Sequence, residues 1–325
     1  MKHGGNVWEG GQPDRWLDFS ANLRPEGPPD WVMDTMRDAL TDARFYPDRA
    51  LTQAREGLAA YLGVSPACVL PTAGGAAAID LALSLSAGRV LLHPPTFGEY
   101  AERAHVRGRA VVEDAQELKP GDTLVRCNPN NPTGEALETA QMLALHERAA
   151  SCGATLLADE AFVDFCPACS LRHSLRPGLV VVGSLTKTLC IPGVRLGYVL
   201  AVPEVIAQLA ERMLPWPLNM LAVAVCAALP AHRAQMEEDV RRNAQRRECF
   251  ASQLEARGAQ VTPSRANFLL VDFHRDMTQD VARLKRQGVL VRTCASFGLP
   301  DHVLRLAVKR EAENERLVNL LFPED

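Results

Sequence analysis

The sequence predicts an α/β protein with a mainly parallel sheet, followed by a smaller α+β region. Short apolar runs such as RVLLH (89–93), TLVRC (123–127) and LVVVG (179–183) are typical of strands buried on both faces of a parallel sheet. Segments with helical periodicity alternate with these runs between about residues 50 and 200, as in repeated strand–helix–strand units. After residue 219 the pattern changes to a long charged helix followed by shorter elements.

The individual elements follow from the same patterns. Helices are predicted over 51–63, 76–86 and 138–153, and the last ends on Gly153, a residue suited to a helix C-terminus. Two more buried strands are predicted at 154–158 and 196–201. The C-terminal region should contain a helix over 234–258, strands in NFLLVDF, GVLVRT and HVLRLAV, and a final helix. We expect an N-terminal arm that joins the small domain (1–39), a large domain (40–225) and a C-terminal small domain (226–325).

Composition excludes several classes of function. The chain has 325 residues, 47% of them hydrophobic and 23% charged, which is the balance of a soluble globular protein. Its net charge of −4 and the absence of a basic tract give no support for binding to nucleic acid or to a membrane surface. The N-terminus lacks an apolar signal core, and no apolar run reaches membrane-spanning length. The expected location is the cytoplasm.

The nine cysteines are scattered and odd in number, which indicates reduced thiols. One close pair, Cys166 and Cys169 in CPAC, has the spacing of a redox dithiol or of half a zinc site. No second cysteine or histidine pair lies near it in the sequence. We therefore expect neither a metal nor a catalytic dithiol there.

Polar sequence follows four of the predicted strands. PPTFGEY follows 89–93, NPNNPTG follows 123–127, DEAF follows 154–158 and SLTK follows 179–183. Ligands of open α/β sheets bind at the carboxyl ends of the strands. In addition, Gly74 and Gly75 directly precede the predicted helix over 76–86, and the exposed N–H groups at the start of that helix would suit an anion such as a phosphate. Each motif alone has an ordinary explanation: a turn, a helix cap or a surface lysine. Their coincidence favours an active site in which the lysine bonds a carbonyl cofactor.

The ordered motifs NPNNPTG, ADEAF, SLTKTLCIPGVRLGY and LRLAV resemble the fold-type-I, aspartate-aminotransferase-like family of pyridoxal-phosphate enzymes, over nearly the whole chain. This resemblance implies a large domain with a mainly parallel seven-stranded sheet, a smaller α+β domain, pyridoxal 5′-phosphate as cofactor, and a homodimer with shared active sites. HGGN (3–6), LDFSANLRPEGPP (17–29) and RFYPD (44–48) are similar to the threonine-phosphate decarboxylases of cobalamin biosynthesis. That branch is close to the histidinol-phosphate aminotransferases.

The resemblance implies a role for each polar residue at the strand ends. Lys187 would form the Schiff base, Asp159 would bond the pyridine nitrogen, and Asn131 would bond the phenolic oxygen of the ring. Phe97 would stack on the ring, and the cofactor phosphate would contact Gly74, Gly75, Ser184, Thr186, Arg195 and, from the neighbouring subunit, Tyr46. The substrate would contact His3, Gly4, Asn22, Asn131, Arg292 and Arg305. Two converging arginines imply a ligand with more than one negative charge.

The choice of reaction depends on what the arginines hold. If Arg305 holds the α-carboxylate in the plane of the cofactor ring, transamination is expected; if both arginines hold a phosphate, the carboxylate can leave as CO₂. Aminotransferases of the family usually carry a tyrosine three residues after the ring aspartate, where this sequence has Phe162. Decarboxylation of L-threonine O-3-phosphate is the expected reaction, with L-serine O-phosphate as another possible substrate. The alternatives are a histidinol-phosphate-type aminotransferase and a cofactor-free binding protein on the same fold.

Overall fold

The computed structural model describes residues 4–9, 11–113 and 117–323. The helices of this part of the chain are α1 (Asp30–Ala39), α2 (Thr52–Leu62), α3 (Gly75–Leu83), α4 (Glu99–Val106), α5 (Thr139–Ser151), α6 (Pro203–Arg212), α7 (Met220–Ala228), α8 (Arg233–Glu255), α9 (Thr278–Arg286) and α10 (Glu311–Leu321). The strands are β1 (Leu17–Asp18), β2 (Val69–Thr72), β3 (Val90–Leu92), β4 (Val111–Glu113), β5 (Thr123–Cys127), β6 (Thr155–Asp159), β7 (Leu179–Ser184), β8 (Gly197–Leu200), β9 (Gln260–Val261), β10 (Phe268–Asp272), β11 (Val289–Leu290), β12 (Arg292–Thr293) and β13 (Val303–Ala307).

The larger sheet has seven strands in the order β2-β8-β7-β6-β5-β3-β4. Strand β8 runs antiparallel to both of its neighbours, and the other pairs are parallel. The predicted mainly parallel, seven-stranded sheet is therefore confirmed. Cys127 is in register with Asp159, and Asp159 with Val182. Because β5, β6 and β7 are parallel, the polar segments after them meet at one edge of the sheet.

Strands β2, β3, β7 and β8 of this sheet are buried along their whole length, and β5 and β6 along most of theirs, as their apolar sequences predict, whereas the edge strand β4 is partly exposed. In β6, Leu156 and Ala158 belong to one hydrophobic cluster, while Leu157 between them belongs to another. Successive side chains of a strand point to opposite faces, so the two clusters cover opposite sides of the sheet. A sheet covered in this way leaves its strand ends as the accessible places for polar chemistry.

The C-terminal part of the chain forms a second sheet in the order β12-β13-β10-β9, with antiparallel pairs. Its core also contains Phe19, which packs with Phe250 of α8. Strand β1 pairs with β11, so the N-terminal segment is joined to the C-terminal part. Helix α1 instead packs on α7, and its Val32 lies in a core of the large sheet. The domain boundaries near residues 40 and 225 remain a proposal.

One predicted strand is divided in the structure. GVLVRT forms two short strands because β11 pairs with β1 whereas β12 pairs with β13. The long charged helix predicted over 234–258 is confirmed as α8, from Arg233 to Glu255. None of the helices in the described ranges is both long and apolar enough to cross a bilayer.

Candidate active site

A cavity of about 400 Å³ lies where the carboxyl edge of the large sheet faces the small sheet. A volume of this size accommodates a small-molecule ligand. Most of the predicted site residues line it, namely Gly4, Asn22, Gly75, Phe97, Asn131, Asp159, Ser184, Thr186, Lys187, Arg195, Arg292 and Arg305. The structure thus brings together residues that are up to about 300 positions apart in the sequence.

Two of the predicted residues, Gly74 and Tyr46, do not line the cavity. Gly74 immediately precedes helix α3 and contacts Arg195 at the margin of the cavity. Tyr46 is 78% exposed, packs against Trp216 with ring centroids 4.7 Å apart and the rings tilted by 34°, and does not line the cavity of its own chain. His3 is outside the described residues. The predicted roles of all these residues stay predictions.

An anion-binding arrangement is built at the start of α3. Gly74 has φ +89°, a conformation that favours glycine, and a Cβ at this position would lie 2.6 Å from Nη2 of Arg195, so the guanidinium would have to shift. The hydroxyls of Ser184 and Thr186 are 2.7 Å apart and line the same cavity. The free N–H groups and dipole of a helix N-terminus attract anions, and a guanidinium adds a full positive charge. The arrangement fits a phosphate group.

Asp159 ends strand β6 and is almost fully buried. Its Oδ2 accepts a hydrogen bond from the Tyr100 hydroxyl at 2.6 Å, and its Oδ1 accepts one from the Ala161 N–H at 2.9 Å. Burial raises the pKa of the carboxyl, and these two bonds together with the charge of Lys187 act in the opposite direction. A buried carboxylate fits a protonated ring nitrogen. Tyr100 was not predicted as a site residue, although it is the last residue of PPTFGEY, the polar segment after 89–93.

Lys187 follows strand β7, lines the cavity and is partly buried. Burial, and then the positive charges of Arg305 and Arg195, lower the pKa of its amine from 10.5 to about 8, while Asp159 acts in the opposite direction. An amine has to be neutral to attack a carbonyl, and a pKa near neutrality also suits proton transfer. The environment of this lysine therefore fits covalent attachment of an aldehyde.

Arg305 lies on β13, directly opposite Arg292 of β12. Its Nη1 donates to Oδ1 of Asn131 and its Nη2 to the carbonyl of Ser20, each at 2.6 Å, while its buried Nε has no partner. Because arginine only donates, Asn131 must accept through its oxygen, which leaves its NH₂ group available as a donor. Burial and the neighbouring charge of Arg292 lower the pKa of Arg305 to about 10. Ser20 was not predicted.

Arg292 is also buried. Its Nη2 donates to Oγ of Ser296 at 2.7 Å, and its guanidinium lies 5.3 Å from the ring centroid of Phe297. Within the described chain, neither Arg292 nor Arg305 forms an ion pair with a carboxylate. Two buried guanidiniums that lack a counter-ion fit a ligand with more than one negative charge. Ser296 and Phe297 follow β12 in a short 3₁₀ turn that the sequence patterns do not single out.

The N-terminal segment closes one wall of the cavity. The N–H of Gly5 donates to Oγ of Ser20 at 2.8 Å, and a Cβ at Gly4 would lie 2.1 Å from the Ser20 carbonyl oxygen. Asn22 is buried against the cavity, and its Oδ1 has no partner in the described structure. Gly4 and Asn22 thus line the same cavity as Arg292 and Arg305, and their predicted contact with the substrate stays a prediction.

Phe162 lines the cavity and is buried edge-on against Phe268, with ring centroids 5.0 Å apart. The guanidinium of Arg305 lies 5.3 Å from the centroid of the same Phe268 ring. An apolar contact therefore replaces the hydroxyl that the aminotransferases usually have at this position.

Cys166 and Cys169 are both buried free thiols. Burial, and then a hydrogen bond with Cys166, raise the pKa of Cys169 to about 12. A protonated thiol is a poor nucleophile and metal ligand. No group of three or more potential metal ligands is found among the residues that the structure describes. The expectation that this pair carries no zinc stays a prediction, which elemental analysis would test.

Comparison with known proteins supports the assignment of this cavity as an active site. A family model described as aminotransferase class I and II matches residues 14–321. The threonine-phosphate decarboxylase of Salmonella typhimurium is 32% identical over 98% of this chain and 95% of that protein. A histidinol-phosphate aminotransferase of Aeromonas hydrophila is 31% identical over 85% of this chain and 83% of its own length. The crystal structure of L-threonine-O-3-phosphate decarboxylase from Porphyromonas gingivalis has a TM-score of 0.84 and 25% identity, covering 93% of this chain and 97% of that one.

The fold is that of the aspartate aminotransferases, as the motifs of the sequence imply. The family match spans nearly all of the chain, including both sheets and every described residue of the cavity except Gly4. The protein therefore belongs to the aminotransferase class I and II family, whose members depend on pyridoxal phosphate.

Proposed function

We propose that the protein decarboxylates L-threonine O-3-phosphate to (R)-1-amino-2-propanol O-2-phosphate, as a step of cobalamin biosynthesis. The observation that carries this proposal is the pair of buried arginines, Arg292 and Arg305, in the same cavity as Lys187 and Asp159. With no carboxylate of the described chain paired to either, the substrate has to supply the negative charge. The phosphate dianion of a phosphorylated amino acid would supply two negative charges for the two arginines.

The residues at the sheet edge fit pyridoxal phosphate as the cofactor. Asp159 would pair with its ring nitrogen, the NH₂ group of Asn131 would donate to its phenolic oxygen, Phe97 would contact its ring, and Lys187 would hold its aldehyde covalently. Its phosphate would be held by Gly74, Gly75, Ser184, Thr186 and Arg195. When bound, the cofactor supplies a sink for the electron pair of the substrate bond that breaks.

The chain's own residues bind the substrate and move the proton. In decarboxylation the bond between Cα and the carboxylate carbon breaks, CO₂ leaves, and a proton is added at Cα. Lys187 is the proposed proton donor, because its pKa of about 8 lies close to neutrality. The substrate phosphate would lie between Asn22, Arg292 and Arg305, with His3 and Gly4 of the arm beside it. With both arginines on the phosphate, neither would hold the α-carboxylate in the plane of the cofactor ring, so the carboxylate could leave as CO₂.

Incubation with threonine phosphate, with and without 2-oxoglutarate, tests the proposal. We expect CO₂ to be released at the same rate in both cases, because decarboxylation needs no keto acid. Unphosphorylated threonine should be a very poor substrate, because the buried arginines would then have no phosphate to pair with. Serine phosphate should react more slowly by about 10- to 100-fold, because it lacks the methyl group of threonine phosphate, and the loss of one such group from a fitted pocket changes kcat/KM by about this factor. Formation of glutamate that requires 2-oxoglutarate, without CO₂, would contradict the proposal.

A histidinol-phosphate-type aminotransferase is the second candidate, and the 31% identity to the Aeromonas hydrophila enzyme favours it. The same cofactor residues and the same arginines would serve that reaction. Phe162 argues for the decarboxylase, because the aminotransferases usually carry a tyrosine hydroxyl at this position. Glutamate formation from 2-oxoglutarate with histidinol phosphate as amino donor would support the aminotransferase.

A homodimer with shared sites completes the proposal. Large apolar side chains are exposed on two neighbouring segments, which contact each other through Tyr46 and Trp216; they are Leu40 (59%), Phe45 (57%), Tyr46 (78%), Leu214 (81%) and Trp216 (43%). Exposed apolar clusters mark surfaces that a partner covers. Tyr46 on this surface would reach the cofactor phosphate of the second subunit. Sedimentation equilibrium should give twice the chain mass, and a monomer at working concentration would contradict it.

A further inference from the structure

The hydrogen bond from Tyr100 to Asp159 has no part in the roles proposed above. Tyr100 lies in the first turn of α4 and is 0% exposed. Its hydroxyl holds one oxygen of the Asp159 carboxylate, while the backbone N–H of Ala161 holds the other. The terminal torsion of an aspartate is broad, so two donors from different elements are needed to fix the carboxylate plane.

Burial affects the two partners of this bond in a complementary way. It raises the pKa of Asp159, and the bond from Tyr100 is the first of the contacts that oppose this rise. Burial and the charge of Asp159 raise the pKa of Tyr100 well above its ordinary value, so the phenol remains protonated and donates at every working pH. An O–H···O⁻ bond of 2.6 Å is at the strong end for hydrogen bonds in proteins.

Tyr100 also contacts one of the aromatic residues that line the cavity. Its ring packs edge-on against Phe97, with centroids 5.7 Å apart, and Phe97 lines the cavity. One fully buried side chain thus contacts both the carboxylate and the aromatic ring that are proposed to contact the cofactor.

We propose that Tyr100 is a positioning residue that keeps Asp159 ionised and oriented for the protonated nitrogen of a pyridine-ring cofactor. The inference rests on the proposed cofactor, but not on the choice between decarboxylation and transamination. Tyr100 acts only through Asp159 and does not touch the reacting atoms. Without the phenol, the carboxyl would be neutral over a wider pH range, and a neutral carboxyl forms no ion pair with a protonated ring nitrogen.

The test measures binding of pyridoxamine 5′-phosphate to the cofactor-stripped protein by fluorescence titration over a range of pH. This probe has the same ring, but it carries an amine where the aldehyde would bond Lys187. Tyr100→Phe should bind it about 10- to 100-fold more weakly, the effect of one hydrogen bond to a charged group. The ratio of the two dissociation constants should grow as the pH is lowered from alkaline to neutral, because the variant carboxyl protonates first. Unchanged affinity would overturn the proposal.

Two further variants separate positioning from packing. Tyr61→Phe is the control, since its phenol donates at 3.4 Å to a different, partly buried carboxylate, Asp164, and it should bind the probe like the wild type. In an Asp159→Asn background, adding Tyr100→Phe should change the affinity less than about twofold, because contributions that act through one group are not additive. An equal loss in that background would show that the tyrosine acts by packing, and the proposal would be wrong.

A measurement on the unaltered tyrosine covers the case in which Tyr100→Phe does not fold. Infrared difference spectra between the stripped wild type and Asp159→Asn, with ¹³C-labelled aspartate, should contain the band of an ionised carboxylate at neutral pH. The band of a protonated carboxyl instead would overturn the proposal. Failure of the decarboxylation assay would leave both measurements unaffected, because neither involves the substrate.

Discussion

The two sides of the cavity differ in how completely the chain satisfies its own polar groups. On the cofactor side, both oxygens of Asp159 accept hydrogen bonds, and the hydroxyls of Ser184 and Thr186 bond each other. On the substrate side, Nε of Arg305 and Oδ1 of Asn22 are buried without partners in the described structure. Each such atom costs about 1–3 kcal/mol. The cofactor side is therefore arranged in advance, whereas the substrate side is completed only by its ligand.

The two sides also differ in where their residues come from. Most cofactor-side residues follow consecutive strands of one sheet, between residues 127 and 195. The substrate side joins residues 4–22 to residues 292–305, and Arg305 links these segments through its bond to the Ser20 carbonyl. Changes on the cofactor side should therefore abolish the chemistry, and changes on the substrate side should weaken binding of the substrate while the cofactor stays bound.

Replacing Lys187 should have the largest effect. Lys187→Ala should lose the visible absorbance of the cofactor-bound protein and reduce turnover by about 10³-fold or more, because it removes both the covalent attachment and the proposed proton donor. Its circular dichroism spectrum should match that of the wild type. Absorbance and CO₂ release measure the two losses, and a variant that keeps its visible band and its turnover would contradict the assignment of the cofactor side.

The same lysine should make the stability of the cofactor-free protein depend on pH. Burial lowers the pKa of Lys187 from 10.5 to about 8, which corresponds to about 3 kcal/mol. The folded protein loses this free energy of unfolding in full below about pH 8, where Lys187 is protonated in both the folded and the unfolded state. The loss disappears as the pH rises towards 10.5, because the lysine then becomes neutral in both states.

Lys187→Met removes this titration and keeps most of the side-chain volume. We expect the cofactor-free variant to be more stable than the cofactor-free wild type near neutral pH, and this difference in the free energy of unfolding to shrink as the pH rises from about 8 to 10.5. Urea unfolding of both proteins between neutral pH and pH 10.5 measures the difference. A difference that does not depend on pH would mean that the lysine is not buried as the structure has it.

On the substrate side, Arg305→Gln should have a larger effect than Arg292→Gln. Arg305 bonds Asn131 and Ser20, whereas the hydrogen bond of Arg292 goes to the nearby Ser296. Loss of a hydrogen bond to a charged substrate group costs about 1.5–3 kcal/mol, or about 10- to 100-fold in kcat/KM. The cofactor band should remain in both variants. Arg37→Gln, at an exposed arginine, is the control and should match the wild type.

The large sheet and the cofactor side are the parts that the sequence predicts best. Continuous apolar strands and the polar residues after them follow local rules, so Lys187, Asp159 and Asn131 could be assigned to one edge before the structure was known. The split between β11 and β12 was missed, because only pairing with distant strands decides it. Tyr100, Ser20 and Ser296 were missed for a similar reason. Each is an ordinary residue in its own segment and gains its role from a partner that tertiary folding brings close.

The smallest expected effect tests whether the N-terminal segment belongs to the substrate side. A Cβ at Gly4 would lie 2.1 Å from the Ser20 carbonyl oxygen, which also accepts the bond from Arg305. Gly4→Ala should therefore displace the arm and raise KM for threonine phosphate by up to about tenfold, or 1.4 kcal/mol, with kcat nearly unchanged. Removing the arm's contacts should not alter the visible band of the cofactor, because the atoms nearest to a Cβ at Gly4 belong to Ser20, which is not proposed to hold the cofactor.

Gly193→Ala is the matched control for this change. Nothing lies within 4 Å of a Cβ at Gly193, and its backbone is not in the left-handed region, so the variant should have the kinetics of the wild type. Steady-state kinetics with threonine phosphate compare the two variants. If Gly4→Ala and Gly193→Ala behave alike, the arm does not take part in binding, and the substrate side is confined to Asn22 and the two arginines. If Gly4→Ala instead loses the cofactor band, the arm supports both sides of the cavity, and the separation between them is wrong.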